Sequence, residues 1–254
     1  MSELERAAAF EEAIRDACAE RVVDTRFGPV LFNDTYSVVW NLNVLRVERP
    51  QGAGAAEIAA EAERVQGEAG LRHRRVILPL GDDPLVAGFR DLGWKPDHFL
   101  FMAHRRPSDR VVKTAHVEEV APEQLVPLRD AIVREWSPGS GDETVRQLIA
   151  ADSLMWRAAN ARSFAILEDG LAVSAAALYS DGSTAQVEDV ATMPAYRGRG
   201  HARAVVQRAV GEARTSGHEF VFLVADGEDW PKELYRQLGF DEVGSRFAFV
   251  LEPA

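Results

Sequence analysis

The stretch Val187-Glu188-Asp189-Val190-Ala191-Thr192-Met193-Pro194-Ala195-Tyr196-Arg197-Gly198-Arg199-Gly200-His201-Ala202 decides how this chain is read. It has the form of a strand, a proline corner and a small-residue turn that feeds a helix. Past the turn, Val205, Val206, Ala209, Val210 and Ala213 fall on one helical face, and Gly217 is a natural stop. A helix start leaves several N–H groups without intrahelical partners, and the aligned peptide dipoles add partial positive charge there. Glycine lets the backbone close on an anion, so a diphosphate can sit against those N–H groups. Arg197 and Arg199 add positive charge. Two familiar glycine motifs fail: a P-loop needs lysine and then serine or threonine where His201 and Ala202 stand. A dinucleotide fingerprint needs glycine or alanine where Arg203 stands. Taken alone, the turn is either an anion cradle or a glycine turn with no ligand.

Outward from the turn, the flanks supply an α/β (α+β) pattern. A short strand is predicted at Val111 to Thr114, then helices at about Pro122 to Glu135 and Asp142 to Asn160. Strands follow at about Ser163 to Leu167, Leu171 to Tyr179 and Thr184 to Thr192, joined through Asp169-Gly170 and Asp181-Gly182. After the helix, Phe220-Val221-Phe222-Leu223-Val224 reads as a strand buried on both faces. A short helix at Pro231 to Leu238 and a strand at Ser245 to Leu251 close a mixed sheet flanked by helices.

The N-terminal half repeats part of this order. Val76-Ile77-Leu78-Pro79-Leu80-Gly81-Asp82-Asp83-Pro84 parallels the run from Val221 to Pro231, and Phe89-Arg90-Asp91-Leu92-Gly93-Trp94 lines up with Tyr235-Arg236-Gln237-Leu238-Gly239-Phe240. Upstream, a long strand over Tyr36 to Val47 and a helix over Ala53 to Gly67 supply the predecessors such a duplication requires. The polar, proline-broken Arg105 to Arg110 sets a boundary, giving units of 1–108 and 109–254.

Over about residues 111 to 254 the chain resembles the GNAT (Gcn5-related N-acetyltransferase) superfamily. Arg197, Gly200 and Ala202 occupy the fixed positions of its Arg/Gln-x-x-Gly-x-Gly/Ala signature, and Leu234-Tyr235-Arg236-Gln237-Leu238-Gly239-Phe240 matches its Leu-Tyr-x-x-x-Gly-Phe segment. The resemblance implies the acyl-CoA N-acyltransferase fold in two tandem GNAT-like units, the N-terminal one a degenerate copy. It implies acetyl-CoA as donor, with the backbone of Arg197, Gly198, Arg199, Gly200, His201 and Ala202 around the pyrophosphate. The strand end Val190, Ala191 and Thr192 would pair with the pantetheine arm as with an added strand.

By the same resemblance Tyr235 is the general acid that protonates the departing thiolate, unless it only packs under the last strand. A phenol is protonated at neutral pH and can donate. Phe89 holds the matching place in the N-terminal half and has no proton to give. Glu188 is the candidate base, or else a solvated charge; strand alternation sends it and Asp189 to opposite sides of the sheet. Glu228 stands where many members carry asparagine. Asp226 and Asp229 either bind a cationic substrate or cap the helix that Pro231 starts. Gln51-Gly52-Ala53-Gly54-Ala55-Ala56 matches the glycine signature by letter, but Pro50 directly precedes it and no arginine is present. Trp40, Asn41 and Asn43 either reach the substrate cleft or, for Trp40, pack in the core.

Composition narrows the field. The chain has 254 residues, 46% hydrophobic and 27% charged, with a net charge of -11, which argues against nucleic acid as partner and favours cationic ligands or simply solubility. No stretch approaches a membrane span, the N-terminus lacks signal-peptide character, and the single Cys18 fits a reducing cytoplasm. No His, Cys or carboxylate spacing indicates a metal. The expectation is a cytoplasmic enzyme, with a homodimer as an open option, that transfers acetyl from acetyl-CoA directly to a primary amine of a small molecule or peptide. Direct attack is preferred because Cys18 reads as a buried small residue. The rival reading is a non-catalytic acyl-CoA-binding or sensing module.

Overall fold

The computed structural model describes residues 1–81 and 84–252; the acidic turn at Asp82 and Asp83 lies outside them. The chain divides into two compact units. One comprises Met1–Phe101, Asp226–Glu228 and Val243–Ala254, the other Met102–Ala225 and Asp229–Glu242. The division falls at Phe101/Met102, and the last strand clusters with the first unit from Val243 onward.

In the first unit, α1 (Glu3–Cys18) starts from a reciprocal cap in which Ser2 Oγ accepts from the Glu5 N–H at 3.2 Å and Glu5 accepts from the Ser2 N–H at 2.7 Å. Then come β1 (Arg21–Asp24), β2 (Pro29–Phe32), β3 (Val44–Arg46), α2 (Ala55–Glu68), β4 (Arg74–Leu80), α3 (Leu85–Asp91) and the beginning of β5 (Lys95–His104). Neighbouring strands run β1-β2-β3-β4, followed by the C-terminal β11 (Phe240–Leu251). The first two pairings are antiparallel, β3 with β4 is parallel, and β11 lies antiparallel to β4 from Arg246↔Leu80 to Leu251↔Arg74. Phe27, Phe32, Leu45, Ile58, Val76, Phe89 and Phe249 share one apolar core.

The long strand expected over Tyr36 to Val47 is not formed; a 3-10 turn at Trp40–Leu42 precedes the three-residue β3. Buried Asn43 explains the break. Its Nδ2 donates to the Tyr36 and Val39 carbonyls, both at 3.0 Å, and its Oδ1 accepts from the Asn33 N–H at 2.9 Å. A side chain that satisfies local main-chain groups competes with strand pairing.

In the second unit, β6 (Val117–Val120) is the opening strand, and Val111 to Thr114 is irregular. There follow α4 (Val126–Trp136), α5 (Asp142–Ala158), β7 (Arg162–Glu168), β8 (Leu171–Ser180), β9 (Thr184–Thr192), α6 (His201–Thr215), β10 (Phe220–Asp226) and α7 (Pro231–Gln237). The order is β10-β9-β8-β7-β6, antiparallel except for β9 with β10. Ala172, Ala175, Ala176 and Ala177 make β8 a small-residue centre, against which α4 and α6 both pack. The first unit thus has two antiparallel pairings before α2 and a parallel pairing across it, and the second has three before α6 and a parallel pairing across it. Among the described residues no helix is long and apolar enough to cross a membrane, and no cluster of His, Cys, Asp and Glu is arranged to hold a metal.

Candidate active site

The parallel strands β9 and β10 pair only over Thr184–Gln186 and Phe220–Phe222, yet β9 continues to Thr192 and β10 to Asp226. Beyond Gln186 the two strands part. The main chain of Val190, Ala191 and Thr192 is then without β10 as a pairing partner and lies against Ser174 and Ala175 of β8. Ser174 Oγ reinforces this edge with hydrogen bonds to the Ala191 carbonyl (2.9 Å) and Thr192 Oγ1 (2.8 Å). An exposed strand edge beside a cleft is a template for an extended ligand.

Within that edge the register jumps from Ala177↔Glu188 to Ala175↔Ala191, so Asp189 and Val190 stand against Ala176 alone. Asp189 sits at φ +53°, in the left-handed region. The bulge overturns the alternation expected of Glu188 and Asp189. Tyr179 is in register with Gln186, whose Nε2 donates to Glu188 at 2.6 Å, and the same Tyr179 hydroxyl donates to Asp189 Oδ2 at 2.9 Å. Both carboxylates therefore lie on the Tyr179 face.

Asp189 is the hub of a buried polar network that sequence reasoning missed. Trp156 Nε1 of α5 donates to Asp189 Oδ2 at 2.7 Å, and Arg129 Nη1 of α4 lies 3.6 Å from Oδ1. Arg129 Nε also donates to Asp152 at 2.7 Å. Burial pushes the Asp152 carboxyl up to about 6; Arg129 pulls against this and Asp189 adds to it. Burial opposes the charge on Arg129, but Asp189 and Asp152 outweigh it and strengthen its hold on the proton. Burial, then the Asp189 and Glu188 charges, keep the Tyr179 phenol protonated. One sign of this network was legible: Arg129 falls on the stripe Leu125, Leu128, Ile132, Val133, where helical spacing calls for an apolar residue.

At the end of β9 the turn enters α6 through Gly198 (φ +76°) and Gly200 (φ +84°). A Cβ on either would meet nothing within 4 Å, so the backbone angle, not space, requires glycine. The Ala204 N–H bonds back to the Gly200 carbonyl at 3.1 Å. The α6 start has no side-chain cap and no acidic residue in its first turn. Arg197 grips Glu135 with Nη1 and Nη2 at 2.8 and 2.5 Å and donates from Nε to the Thr192 carbonyl at 3.1 Å, so its charge ties α4 to the turn. Arg199 donates to the Ala195 carbonyl at 3.1 Å and covers the Tyr196 ring. His201 Nε2 is buried without a hydrogen bond, 3.7 Å from Glu168.

The look-alike segment in the first unit differs at this point. Gln51 lies at φ +54° and Gly52 at φ +77°, but the Gly54 N–H at the start of α2 is taken by Glu57 at 3.2 Å. An internal carboxylate already neutralises that helix start.

Tyr235 is 8% exposed, with its ring edge against Phe240. Among the described residues its hydroxyl has no hydrogen-bond partner. Burial, and then the Glu188 and Asp229 carboxylates, raise the phenol above its ordinary value of 10. Asp229 Oδ1 also accepts from the Trp230 N–H at 2.7 Å, and Asp226 accepts from the Glu228 N–H at 2.8 Å. Glu228 engages His98 at 3.0 Å. In the first unit Asn41 accepts from Arg75 at 3.1 Å, Cys18 is buried, and Phe89 is a core residue stacked on Phe249.

Residues 125–240 match the model of the Acetyltransferase (GNAT) family. No curated protein matches the sequence. Among solved structures, a functionally unknown conserved protein from Staphylococcus epidermidis ATCC 12228 superposes with a TM-score of 0.72 at 13% identity, covering 93% of this chain and 95% of that one. A GCN5-related N-acetyltransferase from Kribbella flavida gives 0.60 at 19% identity, over 98% and 96% of the two chains. A tandem GNAT protein from the clavulanic acid biosynthesis pathway gives 0.53 at 15% identity, over 82% and 75%. At these identities the likenesses concern the fold. Residues 125–240, under half of the chain, are similar to the GNAT acetyltransferase family, and the parted strands and the uncapped glycine turn lie within them.

Proposed function

We propose that the chain is an N-acetyltransferase that takes acetyl from acetyl-CoA and passes it directly to a primary amine of a small molecule or peptide. The observation that carries this reading is the uncapped start of α6 at the end of the unpaired edge of β9. Free helix-terminal N–H groups suit a diphosphate, and a free strand edge suits the amide groups of a pantetheine arm. Bound there, acetyl-CoA supplies an acetyl thioester. The Val190 to Thr192 main chain orients the arm, and the Gly198 to Ala202 backbone holds the diphosphate. Glu188 accepts a proton from the ammonium form of the substrate. The amine nitrogen then bonds to the acetyl carbon, the carbon–sulfur bond breaks, and Tyr235 gives its proton to the departing sulfur; the second nitrogen proton restores the Tyr235 phenol, and Glu188 releases the first to solvent. The products are an amide, a free thiol and one released proton. The Glu188 and Asp229 charges that raise the Tyr235 phenol favour a cationic acceptor.

The first unit is read as a GNAT-like copy without a working cofactor site. In support, antiparallel strands, a helix and a parallel pairing follow one another in it as in the second unit, with one strand fewer; Glu57 occupies its helix start and Phe89 stands in place of Tyr235. A titration of the full chain with acetyl-CoA, followed by a thiol-release screen over an amine panel, tests the proposal. The expected results are heat of binding and amine-dependent thiol release. Binding without release from any amine would favour the sensing module, and absence of binding would refute both.

A further inference from the structure

We infer that the first unit holds a carboxylate-binding subsite, in which the side-on edge of the Arg75 guanidinium, formed by Nε and Nη2, grips the carboxylate of a small ligand whose apolar body lies against Trp40. The subsite lies within the first unit and does not depend on acetyl transfer in the second. A guanidinium presents its donors in a fixed fork. Nε–H and one N–H of Nη2 point the same way, at the spacing of the two oxygens of a carboxylate. In Arg75 that fork is underused. Nη2 donates to a neutral acceptor, Asn41 Oδ1, at 3.1 Å, and Nε is buried with no hydrogen-bond partner among the described residues. The Asp97 carboxylate takes the other nitrogen, Nη1.

Charge and burial point the same way. The Arg75 side chain is 2% exposed, whereas its carboxylate partner Asp97 is 45% exposed. Burial outweighs Asp97 and weakens the hold of Arg75 on its proton, and the Arg15 charge adds to the deficit. Arg129 of the second unit is the contrast, since Asp189 and Asp152 together overcome its burial. A buried cation short of negative charge, with one N–H unpaired, is completed by one more anionic acceptor. The approach is from solvent, where Asn41 is exposed and Asp97 half-exposed. Trp40 precedes Asn41 in the same 3-10 turn and is 37% exposed, its ring 6.0 Å from that of His73. Burial pushes His73 down to about 4, so this pair of rings is uncharged at neutral pH. An aromatic surface one residue from the group that covers the fork suits an aromatic carboxylic acid.

The test titrates the full chain, labelled with nitrogen-15, with benzoate, acetate and the neutral isostere benzamide. The readout is the Arg75 Nε–H resonance, assigned by its disappearance in Arg75→Lys. Benzoate is expected to move that resonance downfield in a saturable way, acetate to do so with weaker affinity, and benzamide to leave it in place. Asn41→Asp puts a carboxylate of the chain itself on the Nη2 side of the fork. It changes an exposed residue, so it serves if Arg75→Lys does not fold, and it is expected to weaken benzoate binding by about tenfold or more. An Nε–H resonance that ignores benzoate, or answers equally to benzamide, would overturn the inference. Unchanged benzoate affinity in Asn41→Asp would overturn it too, because the ligand would then bind elsewhere. Acetate binding as tightly as benzoate would overturn the part given to Trp40.

Discussion

Two carboxylates share one guanidinium under β9, and the consequence is a stability term of unusual sign. Asp152 is buried beside Arg129 and near Asp189, and its pKa rises from the ordinary 3.8 to about 6. A carboxyl with a raised folded pKa imposes no penalty below the unfolded value. The cost of ionising it in place grows as pH climbs from about 4 to about 6, and it is complete above that. The span of about 2 pH units corresponds to roughly 3 kcal/mol. Asp152→Asn keeps a side-chain oxygen to accept from Arg129 Nε and leaves Arg129 paired with Asp189 alone. The stability of Asp152→Asn minus that of wild type should therefore rise by up to about 3 kcal/mol between pH 4 and pH 7. Urea unfolding at half-unit pH intervals, taken as the difference between the two proteins, cancels the titration of groups outside the Asp152–Arg129–Asp189 network. A difference that stays flat, or falls as pH rises, would refute the claim that burial raises the Asp152 carboxyl in the folded chain.

Three further outcomes are expected. Tyr235→Phe should lower kcat by about 10²- to 10⁴-fold with the acetyl-CoA affinity unchanged by calorimetry, and the raised phenol should give the wild type no loss of the acid form below pH 10 in the rate profile. Gly200→Ala places a Cβ at φ +84°, at a cost of about 1–2 kcal/mol, and should weaken acetyl-CoA binding measurably while the circular dichroism spectrum stays native. Calorimetry should return one acetyl-CoA per chain, because Glu57 occupies the α2 start; a second equivalent would overturn the single-site assignment.

What the sequence by itself determined about this protein was local. The glycine turn, the amphipathic stripe of α6, the strand limits at Thr184 and Thr192 and the Tyr235–Phe240 segment all rest on short-range periodicity and backbone preference. Those elements carry the cofactor side of the candidate site. Tertiary structure decided the rest. The bulge at Asp189 reverses the face that alternation assigns, because one extra residue in a strand is invisible until its partner strand is known. Arg129, Asp152, Trp156 and Tyr179 meet Asp189 from separate elements, as only packing can arrange. β11 joins β4 of the first unit because pairing between residues far apart in sequence is chosen by the fit of whole apolar faces, which no local pattern encodes.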